Sequence, residues 1–301
     1  MQKFRHLVAV DQTGINQNGI QRLQAMSQQA DFYCDLPDEQ TVIDRLQGAD
    51  CLLVSYKTPI SGRAIRAAKD LKYIGMCCSL YGPDSANVDI RTAQELGVPV
   101  TGIFDYGDNG VIEYELSALI QLLHGFGGPL YKGRPRELGG LKVGIIGLGT
   151  VGILLADALR YFGCELYYYS RTRKPSQEER GLTYLPLHQL LKTCDAVSTH
   201  LPRGLHLLDS EAFSHFGGGK ILLNTSLGPT FEIEALKNWL AADPDNYYLC
   251  DGCGMGTAAD QLQGIRGVLY TQQGSGASIQ CTQRLTDKVI ANAQKFLDGA
   301  L

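Results

Sequence analysis

Residues 142–153 read KVGIIGLGTVGI. A short apolar run leads into three glycines, spaced Gly147-Leu148-Gly149-Thr150-Val151-Gly152, and VGILLADALRYF (151–162) continues with helical spacing of its apolar positions. This is G-x-G-x-x-G between a strand and a helix. The first glycine allows a tight turn, the second lets the backbone approach a pyrophosphate, and the third lets helix and strand pack closely. The free N–H groups and positive dipole end of the helix then face the phosphates. The stretch predicts a dinucleotide-binding α/β unit.

The next strand, CELYYYS (164–170), ends where such a unit reads the ribose. NAD-binding units place Asp or Glu there to hold the 2′-hydroxyl. This chain has Ser170, followed by Arg171, Thr172, Arg173 and Lys174. A carboxylate would repel a 2′-phosphate, whereas a hydroxyl beside cations holds one through charge-assisted hydrogen bonds. NADP(H) is therefore expected in preference to NAD(H).

Outward from this centre, apolar runs alternate with helical stretches. HLVAV (6–10), ADCLLVS (49–55), LKYIGMCC (71–78) and GVPVTGI (97–103) read as strands, with helical spacing over 17–30, 38–48 and 61–68. A long helix is expected over about 110–124, then the Gly- and Pro-rich linker GFGGPLYKGRPRELGG. After the glycine turn the alternation resumes through DAVSTHL, KILLNTS, FEIEALKNWLAA, NYYLCD and VLYT, and the chain closes on an amphipathic helix from Ser278. Such alternation implies parallel sheets covered on both faces. The expected fold is two doubly wound Rossmann-like α/β domains.

Composition sets bounds. The 301 residues correspond to about two domains. A net charge of −4 gives no sign of a nucleic-acid surface, and no run is long and apolar enough to span a bilayer. The N-terminus lacks a signal-peptide core. Nine cysteines without an even framework of spacings fit a cytoplasmic protein with reduced thiols. Cys250-Asp-Gly-Cys253 has no second pair at metal-site spacing, so no metal is expected.

The chain resembles the D-isomer-specific 2-hydroxyacid dehydrogenase family over nearly its whole length. The resemblance is carried by RELGGLKVGIIGLGTVG, by ANVDI and GVIEYELSAL, and by STHLP, ILLNTSLG, EALKNWL, LCDG and LYTQQGSGAS in the family's order. YYYSRTRKP is similar to the NADP-using glyoxylate/hydroxypyruvate reductase branch. The resemblance implies a flavodoxin-like substrate domain, residues 1–115 plus 276–301, into which the cofactor domain, 116–275, is inserted. It implies an active site in the interdomain cleft and a homodimer formed through the cofactor domains. The cofactor-binding residues it implies are Gly147, Leu148, Gly149, Thr150, Val151, Gly152, Ser170, Arg171, Thr172, Lys174, Leu201, Pro202, Thr225, Ser226 and Asp251.

The catalytic positions depart from the family. The arginine that binds the substrate carboxylate is replaced by Leu227, the glutamate by Gly256 and the histidine by Gln273. The glycine-rich substrate loop reads CCSLYGPDSANVD instead. Leucine neither clamps a carboxylate nor polarises a carbonyl, and glutamine cannot shuttle a proton. Tyr81, Tyr106 and His200 are candidate substitutes for the proton donor, while Glu113 reads as a helix-start acid. The expected function is an NADP(H)-dependent oxidoreductase with an altered active site, acting on an unidentified carbonyl or hydroxy compound. The alternative is a catalytically inactive NADP-binding sensor or regulatory protein.

Overall fold

The computed structural model describes residues 2–301, and the chain divides into two compact units, 1–107 with 278–301 and 108–277.

In the first unit, strands β1 (Phe4–Ala9), β2 (Ser27–Phe32), β3 (Cys51–Val54), β4 (Tyr73–Met76) and β5 (Val100–Thr101) alternate with helices α1 (Gln17–Ala25), α2 (Glu39–Arg45), α3 (Gly62–Ala67) and α4 (Ile90–Glu95). The sheet is parallel, in the order β2-β1-β3-β4-β5, which is the flavodoxin arrangement. Asn16, Asp38, Ser61 and Asp89 each accept a hydrogen bond from a first-turn N–H, which starts their helices. Such a cap contributes about 1 kcal/mol.

Two elements differ from the sequence expectation. Helical spacing over 17–30 predicts one helix, but α1 ends at Ala25 and Ser27–Phe32 form the edge strand β2, paired from Phe4↔Ser27 to Ala9↔Phe32. Main-chain pairing with a buried strand outweighs local periodicity here. GVPVTGI shrinks to Val100–Thr101, because Pro99 brings no N–H and a Cβ on Gly102 would lie 2.7 Å from the Leu80 nitrogen.

The second unit opens with α5 (Asp108–His124) and runs through β6 (Lys142–Ile146), α6 (Thr150–Tyr161), β7 (Glu165–Tyr169), α7 (Pro175–Glu178), β8 (Thr183–Tyr184) and α8 (Leu187–Thr193). It continues with β9 (Ala196–Thr199), α9 (Ser210–Phe216), β10 (Ile221–Asn224), α10 (Ile233–Ala242), β11 (Tyr247–Cys250), α11 (Gly252–Met255), α12 (Ala259–Leu262) and β12 (Val268–Tyr270). Its seven parallel strands run β12-β11-β10-β9-β6-β7-β8. One face is covered by α5 and α6 through Leu119, Leu122, Leu123, Leu155 and Leu159, the other by α8, α9 and α10 through Leu190, Phe213, Phe216, Leu236 and Trp239. Ile112, Leu119, Leu122 and Leu123 of α5 pack in the core of this unit, and the break between the units falls at 107–108.

The last helix, α13 (Ile279–Leu297), returns to the first unit. Leu285, Val289, Ile290, Ala293 and Leu297 are buried there, and Phe296 stacks on Phe4 and Tyr73 at 5.7 and 4.9 Å. No helix among the described residues is long and apolar enough to cross a membrane.

Candidate functional site

Sheet register in the second unit builds the site. Tyr169 lies opposite Ile146, Ile146 opposite Thr199, Thr199 opposite Asn224, and Asn224 opposite Cys250. Five strands therefore end in step. The residues that follow them are Ser170, Gly147, His200, Thr225 and Asp251, each about 4.8 Å from the next in a parallel sheet. Chain direction switches between β6 and β9, whose helices cover opposite faces. In open α/β sheets, ligands bind outside the carboxyl ends of the strands at that switch point.

At its centre is the glycine turn. Gly147 has φ +93°, and a Cβ there would lie 2.2 Å from the His200 carbonyl oxygen. A Cβ on Gly152 would lie 2.6 Å from the Gly147 oxygen and 3.1 Å from Ile145 Cγ2, so this glycine serves the packing of α6 on β6. Gly149, at the start of α6, has no protein atom within 4 Å of the Cβ position. Two glycines are thus fixed by the protein's own atoms, and the middle one opens onto free space. That arrangement fits a pyrophosphate over Gly149. Leu148 is buried, Val151 half-buried and Thr150 exposed.

At the β7 end, the Ser170 hydroxyl donates to the Thr172 carbonyl and shapes the turn. Arg173 is held by both carboxylate oxygens of Glu178. The Tyr168 hydroxyl accepts from the Lys174 backbone N–H and donates to Glu178, at 2.7 Å each. Arg171 and Lys174 are exposed, and their side chains make no hydrogen bond or ion pair among the described residues. Of the basic run, these two cations are available to a ligand.

On the other side of the turn, the Leu201 N–H donates to Ser226 Oγ at 3.1 Å, and Ser226 Oγ donates to the Thr199 carbonyl at 3.0 Å. The Ser226 side chain thereby ties the β9 and β10 ends together, while Pro202 is exposed. Asp251 is 1% exposed. Its Oδ1 accepts from Gly254 N–H at 2.7 Å, and its Oδ2 from Ser275 N–H and Oγ, both at 2.6 Å. That carboxylate fixes the turns after β11 and β12.

Leu227, Gly256 and Gln273 lie on three successive turns of this edge, which are bonded to one another. Gly228 N–H donates to the Cys253 carbonyl at 2.9 Å, and Gly252 N–H to the Gln273 carbonyl at 3.0 Å. Leu227 is 44% exposed. Gly256 has φ +51°, and a Cβ on it would approach Gly228 Cα at 3.0 Å.

Sequence reasoning missed Glu115. It lies on α5 and is 1% exposed. Ser198 Oγ donates to its Oε2 at 2.7 Å, and Thr225 Oγ1 to its Oε1 at 2.6 Å. His200 Nε2 is 3.0 Å from Ser198 Oγ and 3.9 Å from Glu115 Oε1. Burial holds the His200 imidazole below its ordinary range, and the Glu115 carboxylate partly offsets this. The signal available in sequence was the second acid of VIEYEL, four residues before Leu119 on the buried face of the helix.

The tyrosine candidates belong to the first unit. Tyr81 is 80% exposed and meets Phe104 edge-on at 5.4 Å. Tyr106 packs on the core, and burial pushes its phenol well above the usual range. No disulfide joins cysteines among the described residues, and burial raises Cys250 to about 12, which keeps it protonated. One cluster of metal-ligating side chains was not expected: His188, Glu211 and His215, on α8 and α9, hold their ligand atoms within 4.8 Å of one another. It lies at the surface, outside the row of strand ends.

Residues 130–261 match the NAD-binding domain of the D-isomer specific 2-hydroxyacid dehydrogenases. The hydroxypyruvate reductase of Blautia hydrogenotrophica is 25% identical over 291 residues, 88% of this chain and 87% of that protein. An acyclic imino acid reductase, Bsp5, solved in complex with NADPH and D-Arg, superposes with a TM-score of 0.81 over 98% of each chain, at 19% identity. The apo-structure of D-lactate dehydrogenase from Escherichia coli superposes with a TM-score of 0.76 over 99% of this chain and 98% of that one, at 21% identity. These solved structures share the fold of this chain.

Proposed function

We propose that the chain is an NADP(H)-dependent oxidoreductase of the D-isomer-specific 2-hydroxyacid dehydrogenase family, with a remade substrate site. The carrying observation is the strand-end row itself. An open glycine turn stands beside a β7 end that offers Arg171 and Lys174, while the carboxylate nearby, Glu178, is taken up by Arg173 and Tyr168. Bound there, the dinucleotide supplies or accepts a hydride. Gly147, Gly149 and Gly152 would cradle its pyrophosphate, and Arg171 and Lys174 its 2′-phosphate. With Leu227 where the family has arginine, a carboxylate on the substrate finds no clamp. The substrate class is therefore a carbonyl or hydroxy compound that does not depend on one.

A non-catalytic NADP-binding sensor is the second reading. It is favoured by the joint loss of the arginine, glutamate and histidine on three adjoining turns. A homodimer through the second unit belongs to both readings, in keeping with Phe126, Tyr161 and Phe162, which are 78%, 87% and 43% exposed.

The test is thermal protection. A ligand at one hundred times its Kd stabilises by about 2.7 kcal/mol. NADPH should raise the melting temperature at concentrations where NADH does not; equal protection by both, or by neither, contradicts the proposal.

A further inference from the structure

A carboxylate buried to 1% exposure is costly unless it is fully partnered. Glu115 is partnered by groups that all come from the ligand edge: Ser198 at the end of β9, and Thr225 just past β10. Through Ser198 it reaches His200, in the switch-point position next to Gly147. The elements that meet here are α5, β9 and β10, and among the described residues the charged group acting on the imidazole is Glu115. We propose that His200 is the proton-transfer group of this site and that Glu115, acting through Ser198, is its positioning residue. This rests on the cofactor-binding reading above.

The hydrogen bonds fix which nitrogen does the work. An ionised carboxylate only accepts, and a serine hydroxyl has one proton to give. Ser198 gives that proton to Glu115 Oε2, so its oxygen accepts from His200 Nε2–H. Nδ1 is then the position at which the ring gains or loses a proton.

A bound dihydronicotinamide would supply a hydride, one proton with two electrons, to the carbonyl carbon of the substrate. The C=O π pair moves to oxygen, and that oxygen takes the proton from Nδ1 of the imidazolium. His200 is left neutral with its proton on Nε2, and the Glu115 charge that steadied the cation remains in place. Oxidation of the alcohol returns the proton to Nδ1. A histidine that only fills space away from the nicotinamide would make the same hydrogen bonds but would not sense its redox state.

That difference is the test. Two-bond ¹H–¹⁵N correlation spectra of the labelled full chain report the tautomer and titration midpoint of His200, assigned with the His200→Gln variant. The neutral ring should carry its proton on Nε2. With NADP⁺ bound, the extra positive charge should lower the midpoint by about one pH unit relative to NADPH. Glu115→Gln should lower it by about one unit or more, and Ser198→Ala should release the tautomer preference. Equal midpoints with both bound cofactors, or an unmoved midpoint in a folded Glu115→Gln protein, would overturn the proposal. The wild-type comparison needs only the His200→Gln variant, for assignment, so it stands even where Glu115→Gln or Ser198→Ala unfolds the chain. Failure of both cofactors to bind would overturn the cofactor reading, and this proposal with it.

Discussion

Gly147 and His200 meet backbone to backbone. A methyl group on Gly147 would lie 2.2 Å from the His200 carbonyl oxygen, and His200 N–H donates to the Ile146 carbonyl at 2.8 Å. The glycine that opens the cofactor turn is therefore also the one against which the switch-point histidine is seated. This separates two kinds of glycine in one motif.

Gly147→Ala should destabilise the fold by about 1–3 kcal/mol from its positive φ alone, with the His200 contact adding to that. Gly149→Ala meets nothing in the protein and should leave the melting temperature within about 2 °C. It should nonetheless weaken NADPH binding by at least about tenfold, since the methyl occupies the pyrophosphate's approach. Thermal denaturation and NADPH fluorescence titration of the two variants check both halves.

Burial lowers the folded-state pKa of His200 below its unfolded value near 6.5. The unfolded chain then binds more protons as the pH falls. The contribution of the neutral ring is complete above about pH 6.5 and is lost as the pH drops toward the folded value. His200→Asn should flatten the acid side of a melting-temperature profile while leaving the alkaline side parallel to wild type. An unchanged acid slope would show that the imidazole is not held neutral.

Glyoxylate, hydroxypyruvate and pyruvate should be poor substrates with NADPH, below about 1 s⁻¹. The combined change Leu227→Arg, Gly256→Glu and Gln273→His should create measurable NADPH oxidation with glyoxylate, while the single changes do almost nothing, because groups that act as a unit are not additive. Leu227 is 44% exposed, so arginine there meets water and should be tolerated. Gly256→Glu should cost about 1–3 kcal/mol, because φ at Gly256 is +51°. No gain in a folded, NADPH-binding triple variant would show that these turns do not hold the family's catalytic positions.

Much of the second unit was legible because its demands are local. Gly147, Gly149 and Gly152 have steric reasons contained within a few residues, and short apolar runs between helices mark buried strands. The members of the strand-end row, Ser170, Gly147, His200, Thr225 and Asp251, could be picked out one by one. That they stand in step is a property of register, which no local pattern states. Glu115 was illegible for the same reason: its partners are 83 and 110 residues away in sequence. Strand β2 was hidden because SQQADF is polar and sits at a sheet edge, where pairing with β1 decides the conformation.

Cofactor choice is the most direct measure of the account. Calorimetric titration should show NADPH binding more tightly than NADH. Arg171→Ala should weaken NADPH by about 1.5–3 kcal/mol, the worth of a hydrogen bond to a charged group, and leave NADH nearly unchanged. Equal affinities of the wild-type chain for the two cofactors, or an equal loss for both in the variant, would contradict it.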